Sequence, residues 1–142
     1  QVSKRKLNNI FIEGQQPFDL MPQILGNADL LLMTLLDDPA FNLTIPNKLQ
    51  AYLSIGVPII VSAKGASVNV IKEAKAGLIS NPKDPNMLSK KIIDISRMSD
   101  LERAILGRNG KEYFKSNFMM SSLNNQLSAI FASLIKNKKK TI

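Results

Sequence analysis

Two residue types that carry much of enzyme chemistry are missing: the 142 residues contain no cysteine and no histidine. Without cysteine there is no disulfide framework, no thiol nucleophile and no thiolate metal site. Without histidine, a Ser-His-Asp triad, an imidazole base and an imidazole-bound metal are excluded within the chain. Chemistry falls to carboxylates, lysines, hydroxyls, amides and the backbone. No apolar run approaches the roughly 18 residues of a membrane-spanning helix, and no signal-peptide pattern is visible. The chain opens on Gln1 rather than Met, which reads as a piece of something longer.

What is present suits one globular domain. The chain is 44% hydrophobic and 21% charged, enough apolar material for a core without staples. The net charge of +8 first suggests a polyanionic partner. Its distribution argues otherwise. Lys4, Arg5 and Lys6 lie at one end and Lys136, Lys138, Lys139 and Lys140 at the other. Removing these seven from 19 basic residues leaves 12 against 11 acids, a net +1 for residues 8–135. Residues 1–7 and 136–142 read as basic tails on a nearly neutral body. That pattern does not favour a nucleic-acid partner and leaves peripheral contact with a membrane surface open.

Apolar patterning alternates between strand and helix. Residues 9–13 read as a strand closed by Gly14, with a helix from Asp19 to about Asn27. Residues 28–35 form a continuous apolar run after Asp29, expected to be a strand buried on both faces. Pro46 is expected to be the first residue of a helix ended by Gly56. Residues 57–62 are a further strand, Ser67 a helix cap, and Leu78-Ile79 a short strand. Asp84-Pro85 opens a helix, and Ser99 with Glu102 spells a capping box for the next. From about Met119, Leu123, Leu127, Ile130, Phe131 and Leu134 recur at helical spacing and predict a packing stripe. The order predicts an α/β fold: a Rossmann-like parallel sheet with helices on both faces.

Ligands of such sheets bind beyond the carboxyl ends of the strands. Three loops qualify: 14–18, 37–45 and 62–67. The middle one runs Thr44-Ile45-Pro46-Asn47-Lys48 into a helix. A helix start offers free N–H groups and a positive dipole end, which suit phosphate, and Lys48 adds a point charge. A plain strand-to-helix loop with a surface lysine stays open as the competing reading. Neither GxxxxGK nor GxGxxG is present. Asp37-Asp38 reads either as a metal or acid–base pair or as a loop cap before Pro39. Asp29 reads as structural, and Glu13 stands alone at a strand end.

Several blocks carry a resemblance. Phe11 to Pro17, Met21-Pro22 and Ala28-Asp29 form the first. Leu43 to Leu53 with Gly56 to Ile60 form the second. Gly65, Val70-Ile71, Glu73-Ala74 and Gly77-Leu78 continue it, and Gly110 to Phe114 with Asn117-Phe118 close it. In order and spacing they resemble the C-terminal domain of family-4 glycosyltransferases with the GT-B architecture, over nearly the whole chain.

The resemblance implies that residues 1–142 are a single, partial donor-binding domain. It implies a retaining transfer of sugar from a nucleotide-diphosphate sugar, the substrate, to a glycan or lipid-linked acceptor. That acceptor is held by an N-terminal domain of the same longer chain, to which final helices of this architecture often cross. It implies donor binding at Gly14 and Gln15 beside the base and at Thr44, Ile45, Pro46, Asn47 and Lys48 around the diphosphate. No cofactor and no metal are expected, and no catalytic residue is assigned.

The implied setting is bacterial surface polysaccharide synthesis, in the cytoplasm or at the inner face of the membrane. One departure stands out. Two glutamates of the family pattern, eight positions apart, fall at Leu43 and Ala51. The second usually holds the ribose, and Gln50 is the nearest polar substitute. The basic pair that grips the phosphates would precede Gln1, so the chain alone is expected to bind nucleotide weakly and not to turn over.

Two other readings compete. A related sugar-nucleotide epimerase is disfavoured by the absent histidine. A non-catalytic interaction module would use its basic tails on a membrane surface or a partner.

Overall fold

The computed structural model describes residues 7–138. Three short strands form a parallel sheet: β1 (Leu31–Thr34), β2 (Ile59–Ser62) and β3 (Gly77–Ser80), in the order β1-β2-β3. Leu31, Ile59 and Gly77 share one row, and Thr34, Ser62 and Ser80 the last. A 3-10 turn at Phe18–Leu20 leads into α1 (Met21–Gly26), ahead of β1. Two helices join β1 to β2: α2 (Pro39–Asn42) and α3 (Asn47–Ile55). α4 (Ala66–Ala74) joins β2 to β3, and α5 (Pro85–Ser96), α6 (Asp100–Asn117) and α7 (Met120–Lys138) follow.

The core lies on one face of the sheet. Leu31, Met33, Ile59 and Val61 pack there against Leu49 and Leu53 of α3 and Val70 and Ile71 of α4. Leu49 and Leu53 are wholly buried, and each such leucine contributes about 1.5–3 kcal/mol relative to exposure. Ile60 of β2 and Ile95 of α5 are also buried but stand outside this cluster, because α5 covers the opposite face. The α/β fold with helices on both faces is thus observed.

Several local expectations are corrected. Residues 9–13 form no strand; Phe11 and Ile12 are about 80% exposed. A strand exists only through a partner, and this segment joins neither edge of the sheet. β1 is an edge strand rather than one buried on both faces: Leu31 and Met33 are buried while Leu32 is 40% exposed. α5 packs on β2 and β3 and covers the far face of β1 only in part.

Pro46 is the N-cap residue of α3 rather than its first helical residue. Gly56, at φ 84°, ends that helix as expected. Ser67 is no cap. Gly65 takes that place at φ 68°, so α4 starts earlier and Ser67 sits inside it, buried with an unpaired hydroxyl. Lys75, in the left-handed region, closes α4, and Gly77 belongs to β3.

α7 forms where expected, but no residue of its stripe is buried among the described residues. Leu123, Leu127, Ile130, Phe131 and Leu134 are 41–58% exposed. The helix runs on through Lys138, so the first residues of the expected basic tail are helical. The remainder of that tail, and residues 1–6 of the other, lie outside the described residues.

α3 and α6 meet at backbone distance. A Cβ on Gly107 of α6 would overlap the carbonyl oxygen of Gly56, at the end of α3. α6 begins at the foreseen box: the Glu102 amide donates to Ser99 Oγ at 3.3 Å and the Ser99 amide to Glu102 Oε2 at 2.7 Å. Hydrogen bonds from Ser99 hold the Glu102 carboxyl below the ordinary carboxylate range. Ser99→Ala is expected to cost about 1 kcal/mol, read as a lower urea midpoint at unchanged slope.

At its far end α6 is stapled to α7. Ser122 Oγ of α7 donates to Lys115 O at 2.7 Å, while Phe118, the C-cap of α6, folds back on Tyr113 and Phe114 with ring centres 5.9 and 6.3 Å apart.

Candidate anion site at the carboxyl ends of the strands

All three strands point their carboxyl ends to one rim, where the loops after β1, β2 and β3 gather. An open cleft of about 320 Å³ lies there, lined by Thr34, Ser62, Lys83, Asp84 and Leu88 among others. Lys83 adopts φ 62° in the turn that brings Asp84 to cap α5, where its carboxylate accepts from Met87 N at 2.9 Å.

The loop after β1 holds most of the expected site. Asp38 caps α2, its Oδ1 accepting from Ala40 N at 2.8 Å. This is the cap reading of Asp37-Asp38, with the two acids divided between two tasks. Asp37 reaches across to the loop after β2. Its Oδ2 lies 2.6 Å from Lys64 Nζ, and its Oδ1 accepts from Asn42 Nδ2 at 3.0 Å. Those bonds from Lys64 and Asn42 hold its carboxyl below the ordinary range. Acidification through that lowered pKa protonates Asp37 and removes the bridge; above it the bridge persists. Among the described residues no three acidic side chains gather in a metal-binding group.

Beyond α2 the chain turns tightly. Thr44 Oγ1 donates to Ala40 O at 3.1 Å, so this hydroxyl is engaged with its own loop. Ile45 and Pro46 are half-buried, and Asn47 and Lys48 are exposed. Pro46 supplies no side-chain cap. Its carbonyl already accepts from Leu49 N at 2.9 Å, and first-turn amides have no intrahelical acceptor. The Asn47 and Lys48 amides therefore face outward beside the Lys48 side chain, an arrangement that can receive an anion.

Thr44, Ile45, Pro46, Asn47 and Lys48 are thus brought together at the start of α3. Gln50, half-buried, follows one turn on. Gly14 and Gln15 are not joined to them: they lie in the exposed stretch before α1 and make no hydrogen bond to the loop. At the positions of the family's glutamates, Leu43 is 84% exposed and Ala51 is exposed, so neither apolar side chain has turned into the core. Sequence reasoning missed the Asp37–Lys64 bridge. Its partners are 27 residues apart, and only the sheet register joins their loops.

Comparison with known proteins agrees with this architecture. The chain is 24% identical over 121 residues to an uncharacterized glycosyltransferase of Methanocaldococcus jannaschii, covering 80% of this chain and 31% of that protein. It superposes on sucrose-phosphate synthase from Thermosynechococcus elongatus with a TM-score of 0.75 at 20% identity. That match covers 96% of this chain and 33% of the other. The chain therefore spans about a third of the length of either relative, and its fold is that of part of a GT-B glycosyltransferase. The family described as glycosyl transferases group 1 matches residues 1–97. A match over that much of the sequence, on this parallel α/β fold, places the chain in the glycosyl transferases group 1 family.

Proposed function

We propose that this chain is the donor-binding part of a retaining glycosyltransferase. It holds the diphosphate of a nucleotide sugar at the start of α3 while a separate acceptor domain of a longer chain presents a glycan or lipid-linked acceptor. The observation that carries the reading is the uncapped α3 start, with the Asn47 and Lys48 amides and the Lys48 ammonium on one exposed corner. Membership of the glycosyl transferases group 1 family supplies the class of donor. In this reading no metal is required, because helix amides and a lysine neutralise the diphosphate. Gly14 and Gln15 move to the base when nucleotide and the rest of the domain are present. The exposed stripe of α7 is where the acceptor domain docks. The setting is surface polysaccharide synthesis at the cytoplasmic side of a membrane.

The test is an amide-shift titration of the full chain with UDP, GDP and a UDP-sugar. Saturable shifts at Thr44–Lys48 are expected, with one base preferred. Lys48→Ala is expected to weaken binding ten- to a hundredfold, from the roughly 1.5–3 kcal/mol of a charged hydrogen bond. Flat titrations at millimolar nucleotide, or equal affinity in Lys48→Ala, would sink the reading.

A second reading has its own observation: the apolar stripe of α7 leads into a lysine-rich end. As a non-catalytic module, the chain would bind anionic vesicles or a partner through this helix. Binding lost on removing residues 136–142 and unaffected by Lys48→Ala would favour it.

A further inference from the structure

We propose that Asp37 is a positioning residue for the donor anion: bridged to Lys64 and to the Asn42 side chain, it clasps the 43–48 loop against the loop after β2. The inference rests on the donor-binding reading above and assigns a role to residues outside the expected contact set.

Two ties meet at Asn42, the last residue of α2, and a third links them to the next loop. Its side chain donates to Asp37 at 3.0 Å. Asp37 in turn holds Lys64 at 2.6 Å, on the next loop. The Asn42 carbonyl lies directly over Gly65, so closely that a Cβ there would overlap it. Asn42 is thus held through its side chain and through its backbone, by neighbouring residues of one loop. From Asn42 the chain has only four residues, 43–46, before α3 begins. The far side of that gap is fixed by Leu49 and Leu53 in the core. The Thr44 hydroxyl and the ring of Pro46 stiffen what lies between. With both ends held, the Asn47 and Lys48 amides keep one orientation before any ligand arrives, and the ordering cost of binding falls.

The sign of the effect separates this role from simple electrostatics. Asp37 is an anion near a proposed anion site. By Coulomb's law alone, neutralising it would tighten nucleotide binding. A clasp demands the opposite. Lys64 gives a second discriminator: as a direct phosphate ligand freed by loss of its partner, it would make Asp37→Asn bind more tightly.

The experiment compares the full chain with Asp37→Asn, Lys64→Met, their double variant and the exchanged pair Asp37→Lys/Lys64→Asp. Backbone amide exchange over residues 43–48 is measured without ligand, then UDP affinity by titration. Each single variant is expected to speed exchange at Leu43 and Thr44, whose amides donate to the Pro39 and Phe41 carbonyls, and to weaken UDP binding roughly three- to fivefold, the range an exposed pair supports. The double variant should be no weaker than either single one, and the exchanged pair should recover most of the loss. Unchanged exchange in Asp37→Asn, tighter UDP binding, or additive losses would overturn the clasp. If the unmodified chain binds no UDP, the donor reading falls separately. The clasp is then decided by ligand-free exchange alone: faster exchange restored in the exchanged pair upholds it, and unchanged exchange overturns it.

Discussion

Gly107→Ala is expected to destabilise the chain by about 2–3 kcal/mol, although alanine is the better helix former. In an unobstructed helix interior the exchange would gain about 1 kcal/mol. Here the new methyl would overlap the Gly56 carbonyl oxygen. A backbone group cannot turn aside as a side chain can, so α3 and α6 must part. Their separation loosens Leu49 and Leu53, both wholly buried, and overpacking of this kind costs about 1–3 kcal/mol and sometimes more. Gly110→Ala is the control. Its methyl would meet the Ala76 and Leu53 side chains at 3.2 and 3.3 Å, contacts that a small shift relieves. Urea unfolding should place Gly110→Ala near the native chain and Gly107→Ala well below both. A Gly107→Ala protein as stable as the native chain would refute the close approach of α3 and α6.

Gly65→Ala is expected to cost about 2–4 kcal/mol and to disturb the anion loop. At φ 68° and ψ −137° the residue occupies a region that only glycine enters freely, and other residues pay about 1–3 kcal/mol there. The added methyl would also strike the Asn42 carbonyl. Relief requires moving Asn42, and with it the approach to Thr44. Thermal unfolding reads the first effect, and amide shifts at Thr44–Lys48 read the second. An unfolding temperature within a degree or two of the native value would contradict the strain argument. Shifts confined to α4 would contradict the link to the loop.

The architecture was legible wherever local chemistry and burial agreed. Ser99 and Glu102 spelled a cap, and the cap is present. The run 57–62 became the central strand because all four of its paired residues are enclosed. Legibility failed where an outcome depended on something outside the segment. Residues 9–13 have strand composition and no partner. Leu32 belongs to an apolar run, but the face of β1 that carries it is only partly covered. The α7 stripe has the right spacing, which says nothing about what lies opposite. The start of α3 could be read to within one residue, because a helix start is a local property. The Asp37–Lys64 bridge could not, because it exists only once the register sets Thr34 beside Ser62.

The Gly56–Gly107 contact also has a mechanical consequence. α3 has Asn47 and Lys48 in its first turn and meets α6 at its last, backbone against backbone. α6 closes on itself through the Tyr113, Phe114 and Phe118 rings and is tied to α7 by Ser122 Oγ, which donates to Lys115 O. The three helices form a linkage with one stiff bearing and one stapled joint. At the bearing no side chain lies between the two backbones to absorb a displacement. A load on α7, some 28 Å long at 1.5 Å per residue, is carried along α6 to Gly56 and so to the helix that begins at Asn47 and Lys48.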